Sequence, residues 1–227
     1  MAAHPSANPR TSWVVAHPLL AVALALLSLL IFTNLISSGF QRLGLSPTAV
    51  TLVLLASLVG SLVNIPLWRR DLVLAPAAWR RVGPWVYYRP PRIEGQVIAL
   101  NVGGAVVPLT LSAWLLPHVA VARLILATAV VTLAAYRISR VEPEVGVVMP
   151  ALIAPFFAGA AAWLLTGFGG PEAAPLAYIS GTVGCLLGAD LLHFPEVMRT
   201  ESGFLSIGGA GVFDGIFLVG VIAAALS

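Results

Sequence analysis

About seven stretches of this chain, each roughly 20 residues long, carry almost no charge, and a chain keeps that many only by giving most of its surface to lipid. The runs are Leu19–Ser37, Thr48–Leu67, Val97–Leu116, Val119–Tyr136, Val147–Thr166, Ala174–Phe194 and Ile207–Leu226. A helix needs about 20 apolar residues to cross the hydrocarbon, so each run is long enough for one crossing. Composition agrees: hydrophobic residues make up 59% of the 227 and charged residues 9%, too few to solvate a soluble globule. The expected fold is an all-α integral membrane protein of about seven helices. A polar tail (1–18) precedes a single transmembrane domain (19–227). Gly39, Pro47, Pro90-Pro91, Pro117, Pro143, Gly169-Gly170-Pro171 and Pro195 fall in the gaps, as turn residues should.

Charge in the loops sets an orientation. All the basic residues are arginines, and the chain has no lysine. Alternate loops divide them into Arg10, Arg69, Arg70, Arg80, Arg81, Arg89, Arg92, Arg137, Arg140 and Arg199 on one side, against Arg42 and Arg123 on the other. By the positive-inside rule the N-terminus is cytoplasmic and the C-terminus outside. These arginines sit in short loops and not on one basic face, so nucleic-acid binding is a poor reading. The long connection Arg69–Gln96 combines Trp79, Trp85, Tyr87 and Tyr88 with arginines, a mixture suited to the headgroup layer. It is expected as an interfacial cytoplasmic loop, with Val82–Tyr88 a short strand or an amphipathic surface piece. Cys185 is the only cysteine, so no intrachain disulfide forms.

Of nine acidic residues, only Asp190 and Asp214 fall inside apolar runs. An ionised aspartate at a helix centre costs roughly 2.5–3.5 kcal/mol on insertion scales, so it needs a partner or a wet cavity. Both lie within roughly 6–11 Å of the cytoplasmic face, on consecutive antiparallel spans. Two carboxylates sharing a low-dielectric site hold one proton between them. Aspartic proteases use that arrangement to activate water, and proton-coupled carriers need the same property.

Glycine surrounds both aspartates. Gly181, Gly184 and Gly188 make one helical stripe facing away from Asp190, whereas Gly211 and Gly215 flank Asp214 and let backbone approach it. Plain helix packing explains such glycines equally well. His193 follows Asp190 by three residues, on the same helical face, as an interfacial residue or a partner tuning it. A metal site wants three or four ligands, and no second His or Cys is at hand, so neither a metal nor a cofactor is expected. Asn101-Val-Gly-Gly-Ala and Ser206-Ile-Gly-Gly-Ala match each other, so Gly103, Gly104, Gly208 and Gly209 mark paired Gly-interrupted spans. Such pairs point to broken helices that show backbone to a solute or ion.

The runs Gly188-Ala189-Asp190-Leu191-Leu192 and Ser206–Phe217, with Asn101-Val-Gly-Gly-Ala and Pro150–Pro155, resemble the prokaryotic multi-pass membrane family known as domain of unknown function 1614. That resemblance spans roughly residues 20–226 and implies residence in a prokaryotic cytoplasmic membrane. A more distant similarity is to intramembrane aspartyl proteases of the presenilin and prepilin-peptidase type. Leu187-Gly188-Ala189-Asp190 echoes their Gly-Asp element, Asp214 would be its partner, and Pro150-Ala151-Leu152 matches their Pro-Ala-Leu in a different order. It implies catalytic Asp190 and Asp214 and a transmembrane peptide as substrate. The alternatives are a proton- or cation-coupled small-solute transporter using the same aspartates, and a non-catalytic membrane assembly protein. Oligomeric state is not legible.

Overall fold

The computed structural model describes residues 18–75, 78–82, 85–89, 92–142, 146–150, 152–199, 204–208 and 215–226, with the side chains of 72–94 among those outside the description. Helices dominate: α1 (Pro18–Arg42), α2 (Pro47–Gly60), α3 (Val107–Leu115), α4 (Val121–Ile138), α5 (Ile153–Leu165), α6 (Ala173–Cys185), the short α7 (Phe194–Val197) and α8 (Gly215–Leu226). Between them lie β1 (Asn64–Ala75), β2 (Ala78–Val82), β3 (Trp85–Arg89), β4 (Arg92–Asn101), β5 (Arg140–Glu142), β6 (Gly146–Val148) and β7 (Phe204–Ile207).

The all-α expectation is corrected by those strands. The apolar run Thr48–Leu67 is helical only to Gly60, and its last four residues open β1. Val97–Asn101 closes β4 before any helix begins, and Ile207 ends β7. An apolar run does not fix the backbone period: β4 from Gln96 to Asn101 is buried or half-buried on both faces, while Asn64–Leu67 of β1 is exposed, and both read like pieces of helix. Among the described residues, two helices, Val121–Ile138 and Ala173–Val197, are long and apolar enough to cross a membrane. Thr33–Arg42 and Pro47–Gly60 form a pair bent by 119°, while Val102–His118 and Ile153–Leu165 are shorter apolar helices.

The connection Arg69–Gln96 is a ribbon. β1 and β4 pair antiparallel from Asn64↔Asn101 to Ala75↔Arg92, and β2 pairs β3 beyond them. The expected short strand is β3, built from β-forming Trp, Val and Tyr. Pro66 is tolerated in β1 because β1 is an edge strand and its register shifts there. β7 adds to the other side of β4 in parallel, Ala99 opposite Ser206 and Leu100 opposite Ile207. Ile98, Val197 and Leu205 make a small core under this sheet with Val141 and Phe194.

Helix α6 is the hub of the bundle. Every residue from Ala173 to Thr182 is buried. Small residues let its neighbours approach: a Cβ on Gly181 would lie 3.3 Å from Ala158 of α5 and 3.3 Å from Val219 of α8. By contrast α4 is peripheral, leaving Val121, Ile125, Leu126, Val130 and Leu133 exposed. So large an apolar surface is stable in lipid and not in water.

The bundle has two chemically different ends. At one, the Glu172 carboxylate accepts the Ala120 N–H at 2.7 Å and pairs with Arg123, tying α4 to the turn before α6. At the other stands the sheet, where Arg70 donates to the Met198 carbonyl at 2.8 Å, Arg137 sits in the last turn of α4, and Arg140 and Arg199 follow α4 and α7.

Candidate functional site

Asp190 lies in a π-helical turn, Leu186–Leu191, that extends α6. There the Leu192 N–H donates to the Leu187 carbonyl at 2.9 Å, a five-residue step that inserts one extra residue into the turn. Gly184 and Gly188 press this stretch against α4: a Cβ on Gly184 would lie 2.7 Å from Val131 Cβ, and one on Gly188 would meet the Thr132 carbonyl and Ala135. The glycine stripe is therefore a packing face. Asp190 is outside it and half-buried.

His193 closes the turn. Its Nδ1 lies 3.1 Å from the Gly188 carbonyl and 3.0 Å from the Ala189 carbonyl. Both partners are acceptors, so Nδ1 carries the hydrogen and donates, and in the neutral ring Nε2 remains an acceptor. The ring is buried against Tyr136, centroids 4.9 Å apart. Its duty is to satisfy carbonyls at the end of a helix, for which the signal was a histidine just past an apolar run. Among the described residues, no group of three His, Cys, Asp or Glu side chains stands together as a metal site.

A second constellation forms where the ribbon enters the bundle. Asn101 is buried and caps the π-helical turn Val102–Val106: its Oδ1 accepts the Gly104 N–H at 2.8 Å. The same side chain donates through Nδ2 to the Ser61 carbonyl at 2.8 Å and to Asn64 Oδ1 at 3.2 Å. Ser206 of β7 donates to that Asn64 oxygen at 2.6 Å. One amide thus links α2, β1, β4 and, through Asn64, β7. Below it backbones touch. A Cβ on Gly103 would collide with the Ser57 carbonyl, and one on Gly60 would sit 2.9 Å from the Gly103 nitrogen. Gly208 has φ +70°, and a Cβ there would sit 2.7 Å from that of Ala105 and 3.0 Å from the Gly104 carbonyl carbon.

A family model for proteins of unknown function matches residues 58–226, from the last turn of α2 through α8. The chain belongs to the DUF1614 family. Apart from Ser57, both constellations lie inside the DUF1614 match, while α1 and most of α2 precede it. No curated protein and no solved structure matches the chain.

Within this DUF1614 protein the expected site residues separate into groups. Asn101, Gly103, Gly104 and Gly208 come together at the ribbon junction. Asp190 and His193 share the π-helical turn, the histidine bound to backbone. Pro150 and Leu152 are exposed, and their carbonyls begin the hydrogen bonding of α5, accepting from Ile153 at 3.3 Å and Phe156 at 3.3 Å. Gly215 opens α8. Asp214, Gly209, Gly211 and Ala151 lie outside the described residues. Sequence reasoning passed over Ser57 and Ser61, small polar residues inside a run taken for one apolar helix, whereas Asn64 and Asn101 stand out in the sequence as polar residues at span ends on one side.

Proposed function

We propose that this DUF1614 protein is an integral membrane hydrolase in which Asp190 and Asp214 share a proton and activate water near the arginine-rich end of the bundle. The seven apolar runs then cross a prokaryotic cytoplasmic membrane with that end inside. The observation that carries the reading is the packing of α8 against α6, the helix that the π-helical turn extends. α6 and α8 are antiparallel and touch where a Cβ on Gly220 would lie 3.0 Å from Tyr178. Five residues back along α8 is Gly215, roughly 7.5 Å nearer the sheet at the helical rise, which brings the start of α8 toward the turn bearing Asp190. Val219 already packs in one cluster with Cys185 and Ala189. Asp214 is the residue next to Gly215. A half-buried carboxylate at the end of one helix, and a second next in sequence to the first residue of the helix packed against it, are what an aspartate pair asks for. A transmembrane peptide is the matching substrate class.

The deciding experiment is cleavage of model transmembrane peptides by the purified protein and by Asp190→Asn and Asp214→Asn. Cleavage by wild type and loss of about a thousandfold or more in each variant is the expected result, because neither carboxylate alone activates water. Residual activity in either single variant rejects the pair.

One observation favours a second reading, a proton- or cation-coupled carrier. Both Gly-Gly segments interrupt their apolar runs, and Gly208 rests on Gly104 and Ala105 beside parallel β4 and β7. Paired interruptions of this kind expose backbone to ions in carriers. Proton flux into proteoliposomes that disappears with Asp190→Asn, in the absence of peptide cleavage, selects it.

A further inference from the structure

The membrane-facing side of α4 carries a groove of about 490 Å³, lined by Leu124, Thr128, Thr132 and Tyr136 and walled by Leu187 and Leu192 from either end of the π-helical turn. We infer that it holds one acyl chain of an anionic phospholipid, whose phosphate sits on Arg137 and Arg140.

From Leu124 to Tyr136 the groove follows α4 for roughly 18 Å at the helical rise, a length along which an extended hydrocarbon chain can lie. The lining is aliphatic apart from two threonines and Tyr136, so a chain loses nothing by leaving bulk lipid for it.

Charge then selects the headgroup. The groove runs out at Tyr136, the last aromatic of α4, with its ring on His193, a place where tyrosine marks the membrane–water boundary. Arg137 and Arg140 follow at once, and both are exposed. Arginine pairs with phosphate oxygens through two N–H groups, and basic residues at the cytoplasmic edge of helices attract anionic lipid. Glu142 stays on the strand beyond them, in a register facing Gly146. The site also touches the candidate chemistry, because the residues walling the groove bracket Asp190. It rests on α4 standing in the bilayer and is independent of what the aspartates do.

Native mass spectrometry of the full-length protein, titrated in detergent with phosphatidylglycerol or phosphatidylcholine, tests it. Retention of phosphatidylglycerol over phosphatidylcholine by about fivefold per arginine is expected. The double variant Arg137→Gln/Arg140→Gln should erase that preference. Ala129→Phe, which puts a ring into the groove from an exposed position, should lower retention of both lipids. Equal retention of the two lipids by wild type, or an unchanged preference in the double variant, overturns the site. Release of the protein from membranes by alkaline carbonate is a separate failure: it removes the membrane placement on which the site depends.

Discussion

A single methyl group at position 103 would be driven into the Ser57 carbonyl and the Ser61 nitrogen, both backbone atoms of a helix that cannot swing aside. Gly103→Ala should therefore cost about 3 kcal/mol, at the upper end of what overpacking does. Gly95→Ala is the control, since nothing lies closer to its added Cβ than an Arg69 side-chain nitrogen at 3.6 Å. Thermal unfolding in detergent should show a drop of several degrees for the first and almost none for the second. His193 offers a comparable test of a polar group. His193→Ala leaves the Gly188 and Ala189 carbonyls without their donor and should cost about 1–3 kcal/mol. His193→Phe keeps an aromatic ring against Tyr136 but not the N–H, so equal loss in both variants identifies the hydrogen bond as the contribution that matters. Full rescue by phenylalanine would show that packing alone holds the turn.

Elements in this chain change type where a polar side chain meets the backbone. β4 ends and the π-helical turn begins at Asn101, whose carbonyl oxygen takes the Gly104 N–H that no helix residue can satisfy. Asn101→Ala should cost about 2 kcal/mol, because it removes a cap and also strands the Ser61 carbonyl. Asn101→Asp keeps the cap acceptor and loses only the donated bonds, so it should fall between wild type and alanine. Hydrogen exchange at the Gly104 amide reads the difference directly: faster in alanine, protected in aspartate. The same principle explains why the boundary was hard to see in advance. Val97–Leu100 is apolar enough for a helix, and Asn101 looked like a polar residue entering a span. Its partners Ser61 and Asn64 are some 40 residues away in the chain, and only their approach makes Asn101 a cap.

At the scale of the whole molecule, the two ends differ in charge. Arg123 is held by Glu172 at one end of α4, while Arg137 lies in its last turn and Arg140 just past it. With Cys185, which is buried, replaced by serine, cysteines placed at Arg123 and at Arg140 should label oppositely. An impermeant maleimide added to intact cells should reach Arg123→Cys and should reach Arg140→Cys only after the membrane is opened. The reverse pattern inverts the topology, and with it the side on which the aspartates and the lipid groove face. The sheet belongs to this scale too. Gly60 meets Gly103, and Gly208 meets Gly104 and Ala105, from three segments that the chain separates widely, and the turn with φ +70° at Gly208 is one that glycine adopts without strain.

From the sequence alone came the scarcity of charge, which fits lipid surroundings, and the crowding of arginines into a few connections between apolar runs. So did the chain positions where glycine and aspartate depart from the apolar background. These are local or additive properties: hydropathy and charge sum along a chain whatever its partners. Tertiary structure decided which apolar runs are strands, because a short apolar run without clean alternation suits helix and strand alike. It also decided that Gly184 and Gly188 serve α4 while Gly181 serves α5 and α8, and that Gly208 meets Gly104 and Ala105. His193 was likewise given its duty by backbone carbonyls exposed at a turn. Each depends on close approach between distant segments, and no count of residues along the chain contains that distance.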